Sequence, residues 1–112
     1  MSSLPELTSV QLIKAINKGY EIKEYKDYEV GGQNIEQRVW LLNGNIHRED
    51  GLPAIEYNDG TKEWWVNDSR HREDGPAIVH SNGTRSWWLN DVPMTEEEFK
   101  KQMNNKRLSN AS

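Results

Sequence analysis

The chain has 112 residues, a formal net charge of −4 and no cysteine. That length bounds it to about one domain with a modest core, and the missing cysteines exclude disulfides, thiolate zinc sites and cysteine nucleophiles. A charged fraction of 29 % with acids in excess suits nucleic acid or anionic lipid poorly unless the cations are segregated. Here they are interleaved with acids ("HRED", "EIKEYKD").

Five Trp and four Tyr against one Phe predict that tryptophan carries much of the burial, each buried aromatic removing ~150–250 Å² from water. No basic leader followed by an apolar run is present, and no window approaches the ~18 apolar residues of a spanning helix. The expectation is a cytoplasmic protein with no membrane partner, and direct nucleic-acid binding is not expected.

Residues 1–20 predict a helix. Thr8 with Gln11 fits a capping box and Gly19 is a natural stop. Between them Val10, Ile13 and Ile16, with Leu12 beside them, form an apolar stripe at helical spacing, expected to cover one side of the domain. Residues 21–37 predict a leading strand and turn. In "YEIKEYKDYEV" Tyr20 and Ile22, then Tyr28 and Val30, alternate with charges, and "GGQN" turns the chain into "IEQRVWLLN".

Residues 38–94 hold a repeat. Setting Trp40 against Trp64 and Trp87 aligns Asn43, Asn67 and Asn90. It also places His47–Gly51 on His71–Gly75 and Gly60-Thr61 on Gly83-Thr84. Pro53-Ala54-Ile55 falls on Pro76-Ala77-Ile78 after an insertion at Leu52, and a third copy, "WWLNDVPM", lacks HREDG. Such a period signals units that bury their faces against one another. "AIEYNDGTKEWWV" and "AIVHSNGTRSWWL" read as hairpins around Asn-Asp-Gly and Asn-Gly. Alternation then puts Trp40, Trp64 and Trp87 in one row and Leu41, Trp65 and Trp88 in another. The second row is a candidate protein-contact strip; the alternative is that Arg and Lys stems, or the long loops, fold over it.

The pentapeptides His47-Arg48-Glu49-Asp50-Gly51 and His71-Arg72-Glu73-Asp74-Gly75 carry His, Arg and carboxylates, residue types that suggest catalysis or a metal. An active site needs one asymmetric constellation, whereas this pentapeptide recurs at the same place in each unit. It reads as a connector built on Gly and Pro turn chemistry, with Arg–Trp stacking and Arg–carboxylate pairs linking units. Two His residues 24 positions apart without a local partner are a weak metal signal. His80 stands where the preceding unit has Tyr57, as a sheet residue would. No nucleophile–base pair, phosphate loop or HExxH is present. The reading is therefore non-enzymatic, with no cofactor and no metal, and Arg48, Arg72, Glu49 and Glu73 join the candidate contact surface.

Residues 95–105 predict a closing helix, with Thr95 and Glu98 as a capping box, Glu96 and Glu97 at its positive end, and Phe99 and Met103 able to dock on the last hairpin. Residues 106–112 predict a flexible tail.

The units, "W-x-x-N-[GD]-x-x-H-R-E-D-G-P-A-I" followed by "N-D-G-T" or "N-G-T", resemble the MORN-repeat variant group over residues 38–94. The resemblance implies β-hairpin units stacked into one extended sheet, as in bacterial, phage and giant-virus proteins, and "TEEEFKKQM" looks like the helix that closes such arrays. It also implies scaffold or binding roles. The lipid binding of some members is not expected from a short acidic chain without a basic stripe. Together these readings predict a single mainly-β domain, an antiparallel meander of six or seven strands with a capping helix at each end. Its expected role is a protein-binding module, and specifically a phage-encoded inhibitor of a host defence protein. A self-associating assembly protein and a small-ligand-sequestering protein are the alternatives.

Overall fold

A computed structural model describes residues 3–110, without the side chains at positions 27, 28, 30, 109 and 110. The chain is mainly antiparallel β with one helix near each end. Helix α1 (Ser9–Asn17) leads into strands β1 (Tyr20–Val30), β2 (Gln33–Leu42), β3 (Asn45–Ile46), β4 (Ile55–Tyr57) and β5 (Lys62–Glu63). Strands β6 (Trp65–Val66), β7 (Ser69–Arg70), β8 (Ile78–Val79), β9 (Arg85–Leu89) and β10 (Val92–Met94) follow, and helix α2 (Glu96–Asn110) ends the described chain. Eight strands form one sheet in the order β1-β2-β4-β5-β8-β9-β10, with β3 paired to β2, while β6 and β7 form a separate two-stranded ribbon.

The strands outnumber the six or seven expected because each unit makes two hairpins. The Asn-Asp-Gly and Asn-Gly hairpins are present, with Gly60 at φ +95° and Gly83 at φ +89°. A second, tighter turn follows Leu42, Val66 and Leu89, at Asn43-Gly44, Asn67-Asp68 and Asn90-Asp91, and both central residues of each have positive φ. That is the geometry that matches strand twist in two-residue hairpins. The run through Trp64 is also broken, so that β5 and β6 belong to different sheets.

The core is smaller and less aromatic than composition suggests. Of the five tryptophans only Trp40 is fully buried, at 3 % exposure, and the other four are half-buried. Ala54-Ile55 and Ala77-Ile78, the equivalent pairs of the two units, are buried beside Val39 and Phe99. Ala54 is bonded on both sides: its carbonyl accepts from the Trp40 amide and its amide donates to the Glu63 carbonyl, both at 2.8 Å. A small side chain fits this central position.

Both capping boxes are formed, Thr8 with Gln11 and Thr95 with Glu98. The predicted end of the closing helix at 105 is corrected: α2 continues to Asn110, with Lys106 paired to Glu73 and Arg107 donating to the Asn104 side chain, and residues 111 and 112 of the predicted tail lie outside the described residues. At the other end the helix occupies Ser9–Asn17 of the predicted 1–20, and Met1 and Ser2 lie outside the described residues. The facing expected for Tyr28 and Val30 also falls on side chains outside them. The β1–β2 register shifts by one residue between Tyr25 and Tyr28, a bulge in the long outer strand.

Candidate protein-contact site

The connectors are joints between units. His47 and His71 donate their amides to the Trp40 and Trp64 carbonyls, each at 3.1 Å. Their Nδ1 atoms accept the amides of Asn67 and Asn90, at 3.1 and 2.9 Å, in the following unit. A backbone N–H can only donate, so in each neutral ring the proton sits on Nε2, which faces Glu49 at 3.6 Å and Glu73 at 3.0 Å respectively. Arg48 stacks on Trp40 at 3.7 Å and Arg72 on Trp64 at 3.8 Å. Each guanidinium also donates to a proline carbonyl, Pro53 or Pro76, at 3.1 Å. Burial pulls the Arg48 pKa down from its ordinary value, and the Glu56 carboxylate beside it works against that shift.

A second clamp sits at the tight turns. The Asp68 amide donates to the Ile46 carbonyl at 2.9 Å, and the Ile46 amide donates to Asp68 Oδ1 at 2.7 Å. One unit later Asp91 grips Arg70 in the same way, at 2.9 and 3.2 Å. Asp tolerates the left-handed conformation, and here its side chain also takes an amide of the preceding unit. The first unit, with no unit before it, carries Gly44 at this position. The last unit carries Pro93 where the earlier ones carry Ile46 and Arg70, so no amide is available to a following unit.

Several of the predicted contact residues also serve internal joints. Arg48, Arg72 and Glu73 hold tryptophan, proline and histidine as described, whereas the exposed Glu49 carboxylate stands 3.6 Å from His47 Nε2 without a hydrogen bond to it. Leu41 is half-buried between Glu21 and Ile46 in the sheet. Trp65 and Trp88 are bridged by Arg70, whose guanidinium lies 4.5 Å from one ring and 5.0 Å from the other. Glu63 and Asp91, each 3.9 Å away, flank that guanidinium. An arginine therefore covers the strip. His80, expected as a sheet residue, lies just past the end of β8 and pairs with Ser86 across its hairpin, and among the described residues no group of three or more His, Asp or Glu side chains converges to hold a metal.

The two helices dock on the connectors in different ways. Phe99 takes the ring of Trp87, the one tryptophan of its row without an arginine, at 4.7 Å between centroids. Glu73 accepts from Lys106 and His71, and these bonds hold its carboxyl below the ordinary value. Between α2 and the second connector lies an open groove of about 1160 Å³, floored by Trp87, Phe99 and Met103.

Helix α1 inverts the sequence expectation. At ~100° per residue, Gln11, Lys14, Ala15 and Lys18 share one side, and these line the 320 Å³ gap facing Trp40 and the first connector. Lys18 pairs with Asp50 at 3.3 Å, and Ala15 is the buried residue of the helix. The apolar stripe points away from the domain, with Val10 60 %, Leu12 41 %, Ile13 58 % and Ile16 68 % exposed. Periodicity identified the apolar side, and the opposite side is the one turned to the domain, with Lys18 set against Asp50. The four aliphatics present roughly 400 Å² of apolar surface, within the ~300–600 Å² of the largest, often functional, patch on a monomer.

The chain matches no protein-family model, and no curated protein or solved structure is significantly similar to it.

Proposed function

We propose that the chain is a non-enzymatic protein-binding module whose contact surface is the outward side of α1, and that it acts as a virus-encoded inhibitor occupying a host protein. The observation that carries the binding reading is the inverted helix. Four aliphatics turned to water on one short helix are destabilising unless something covers them. The inhibitor reading rests on the resemblance of the repeats to phage-type MORN variants, which goes to the class of protein and not to its target.

A self-assembling reading gains little from the repeats. Extension of the array would need an amide at position 93 and an Asp at position 44, and the chain has Pro93 and Gly44 there. A ligand-sequestering reading has one feature in its favour, the groove beneath α2.

The test is capture from bacterial lysate on the tagged chain, with light scattering on the eluate, repeated with an Ile13→Glu/Ile16→Glu variant. The expected result is one stoichiometric host protein in a complex of defined mass, lost in the variant while its melting temperature holds. A bait that elutes alone, as monomer or multimer, refutes the reading.

A further inference from the structure

We propose that the outer edge of β1 pairs with the same edge of a second copy, antiparallel about a two-fold axis at Ile22, and joins two chains into one continuous sheet. This goes beyond the binding reading above and does not depend on it.

The direction of the backbone groups identifies the open positions. The Trp40 amide donates to the Ala54 carbonyl, so Trp40 turns its backbone towards β4 and away from β1, which lies on the other side of β2. Ile22 stands directly opposite Trp40. Facing residues of an antiparallel pair either both point at each other or both point away, so Ile22 turns its N–H and C=O out of the sheet. Tyr20 and Glu24, two positions to either side, do the same. These outward groups make no hydrogen bond among the described residues. Over residues 20–25 the strand also lacks a proline or a bulge, two devices that ordinarily blunt an edge, because the register shift of β1 comes after Tyr25.

The sequence of that stretch, "YEIKEY", is complementary to itself. With Ile22 opposite the second copy's Ile22, the outward groups of Tyr20, Ile22 and Glu24 meet those of Glu24, Ile22 and Tyr20 in hydrogen-bonded pairs. In the same register Glu21 faces the second copy's Lys23, and Lys23 faces its Glu21. Both side chains are exposed, and within one chain they meet at 3.8 Å. A slip to either neighbouring two-fold register sets Glu21 against Glu21 or Lys23 against Lys23, and like charges directly opposite are destabilising. Charges that ordinarily guard an edge here select one register.

The other edge of the sheet is closed. There β10 has three residues with Pro93 at the centre, and proline has no N–H to offer a further strand. One open edge per chain makes a closed two-fold dimer and not a fibre. A seam of residues 20–24 on each side falls short of the ~1,200 Å² of a stable interface, so the dimer is reversible, with a dissociation constant on the order of 100 µM.

The experiment is sedimentation equilibrium with light scattering on the full chain, from well below that constant to about ten-fold above it. It compares the native chain with Glu21→Lys, Lys23→Glu and the exchanged variant Glu21→Lys/Lys23→Glu, with melting temperatures to show that each is folded. The expected result is a monomer–dimer equilibrium in the native chain, about ten-fold weaker in each single variant, where like charges face each other twice. The exchanged variant recovers the native constant. Amide hydrogen exchange of the native chain at high concentration slows at Tyr20, Ile22 and Glu24, and this footprint decides the matter even where a variant fails to fold. A chain that stays monomeric or forms larger assemblies overturns the inference. So does a dimer indifferent to the single charge reversals, one that the exchanged variant does not restore, or one whose new protection falls on β10 in place of β1.

Discussion

If the turn aspartates clamp the units together, Asp68→Ala should weaken the whole array, and the structure says by how much. Asp68 sits at φ +67°, and an alanine there adds about 1–2 kcal/mol of left-handed strain. It also loses the 2.7 Å bond from the Ile46 amide to the carboxylate, a charge-assisted bond at a solvent-exposed site contributing about 1 kcal/mol. The sum is about 2–3 kcal/mol, which lowers the melting temperature of a chain this size by roughly 8–12 °C. Two controls separate the terms. Asp68→Gly removes the bond but fits the turn, so it loses about 1 kcal/mol, and Asp68→Asn keeps an acceptor and the conformation and stays within about 0.5 kcal/mol. Thermal melts of the four proteins by circular dichroism give the order. An Asp68→Ala protein as stable as the native chain would refute the clamp, and equal losses for Ala and Gly would refute the strain.

Three further outcomes are expected. A Cβ on Gly75 would come within 2.9 Å of Arg72 Cζ, so Gly75→Ala pushes the end of that side chain aside, loosens its stacking on Trp64, destabilises by about 0.5–1 kcal/mol and changes tryptophan fluorescence. Phe99→Ala removes the buried ring that seats α2 on Trp87, destabilises by about 3 kcal/mol and lowers helical circular dichroism. The Glu73 carboxyl is depressed by bonds from Lys106 and then His71. Its stabilisation is therefore fully present above the ordinary glutamate value of 4.5 and is lost as pH falls through the lower folded value. Melts of the native chain and of Glu73→Gln should diverge most above that range and converge at lower pH.

Much of the scaffold was legible from residues close in sequence. The Gly60 and Gly83 hairpins and both capping boxes depend on neighbours a few positions apart, where turn and cap chemistry is decisive, and the repeat alignment carries each reading from one unit to the next. What escaped depends on residues that only the fold brings together. Asn67-Asp68 reads as an ordinary polar pair until Ile46 is placed beside it, and only the fold shows that Arg70 lies between the Trp65 and Trp88 rings. The helix runs past the expected end at 105 to Asn110, and on that added turn Lys106 pairs with Glu73, a residue 33 positions back. Helix α1 is the sharpest case: its apolar side was plain in the sequence, but the fold buries Ala15 on the opposite side and sets Lys18 against Asp50.

The central claim is that this outward side of α1 is the binding surface, and amide hydrogen exchange on the chain with and without its captured partner tests it most directly. The account predicts that the amides of Ser9–Asn17 become markedly slower to exchange in the complex, while those of the Trp65 and Trp88 strands stay as they are in the free chain. Unchanged exchange across α1, with new protection at Trp65 and Trp88, would contradict it and return the interface to the arginine-covered strip.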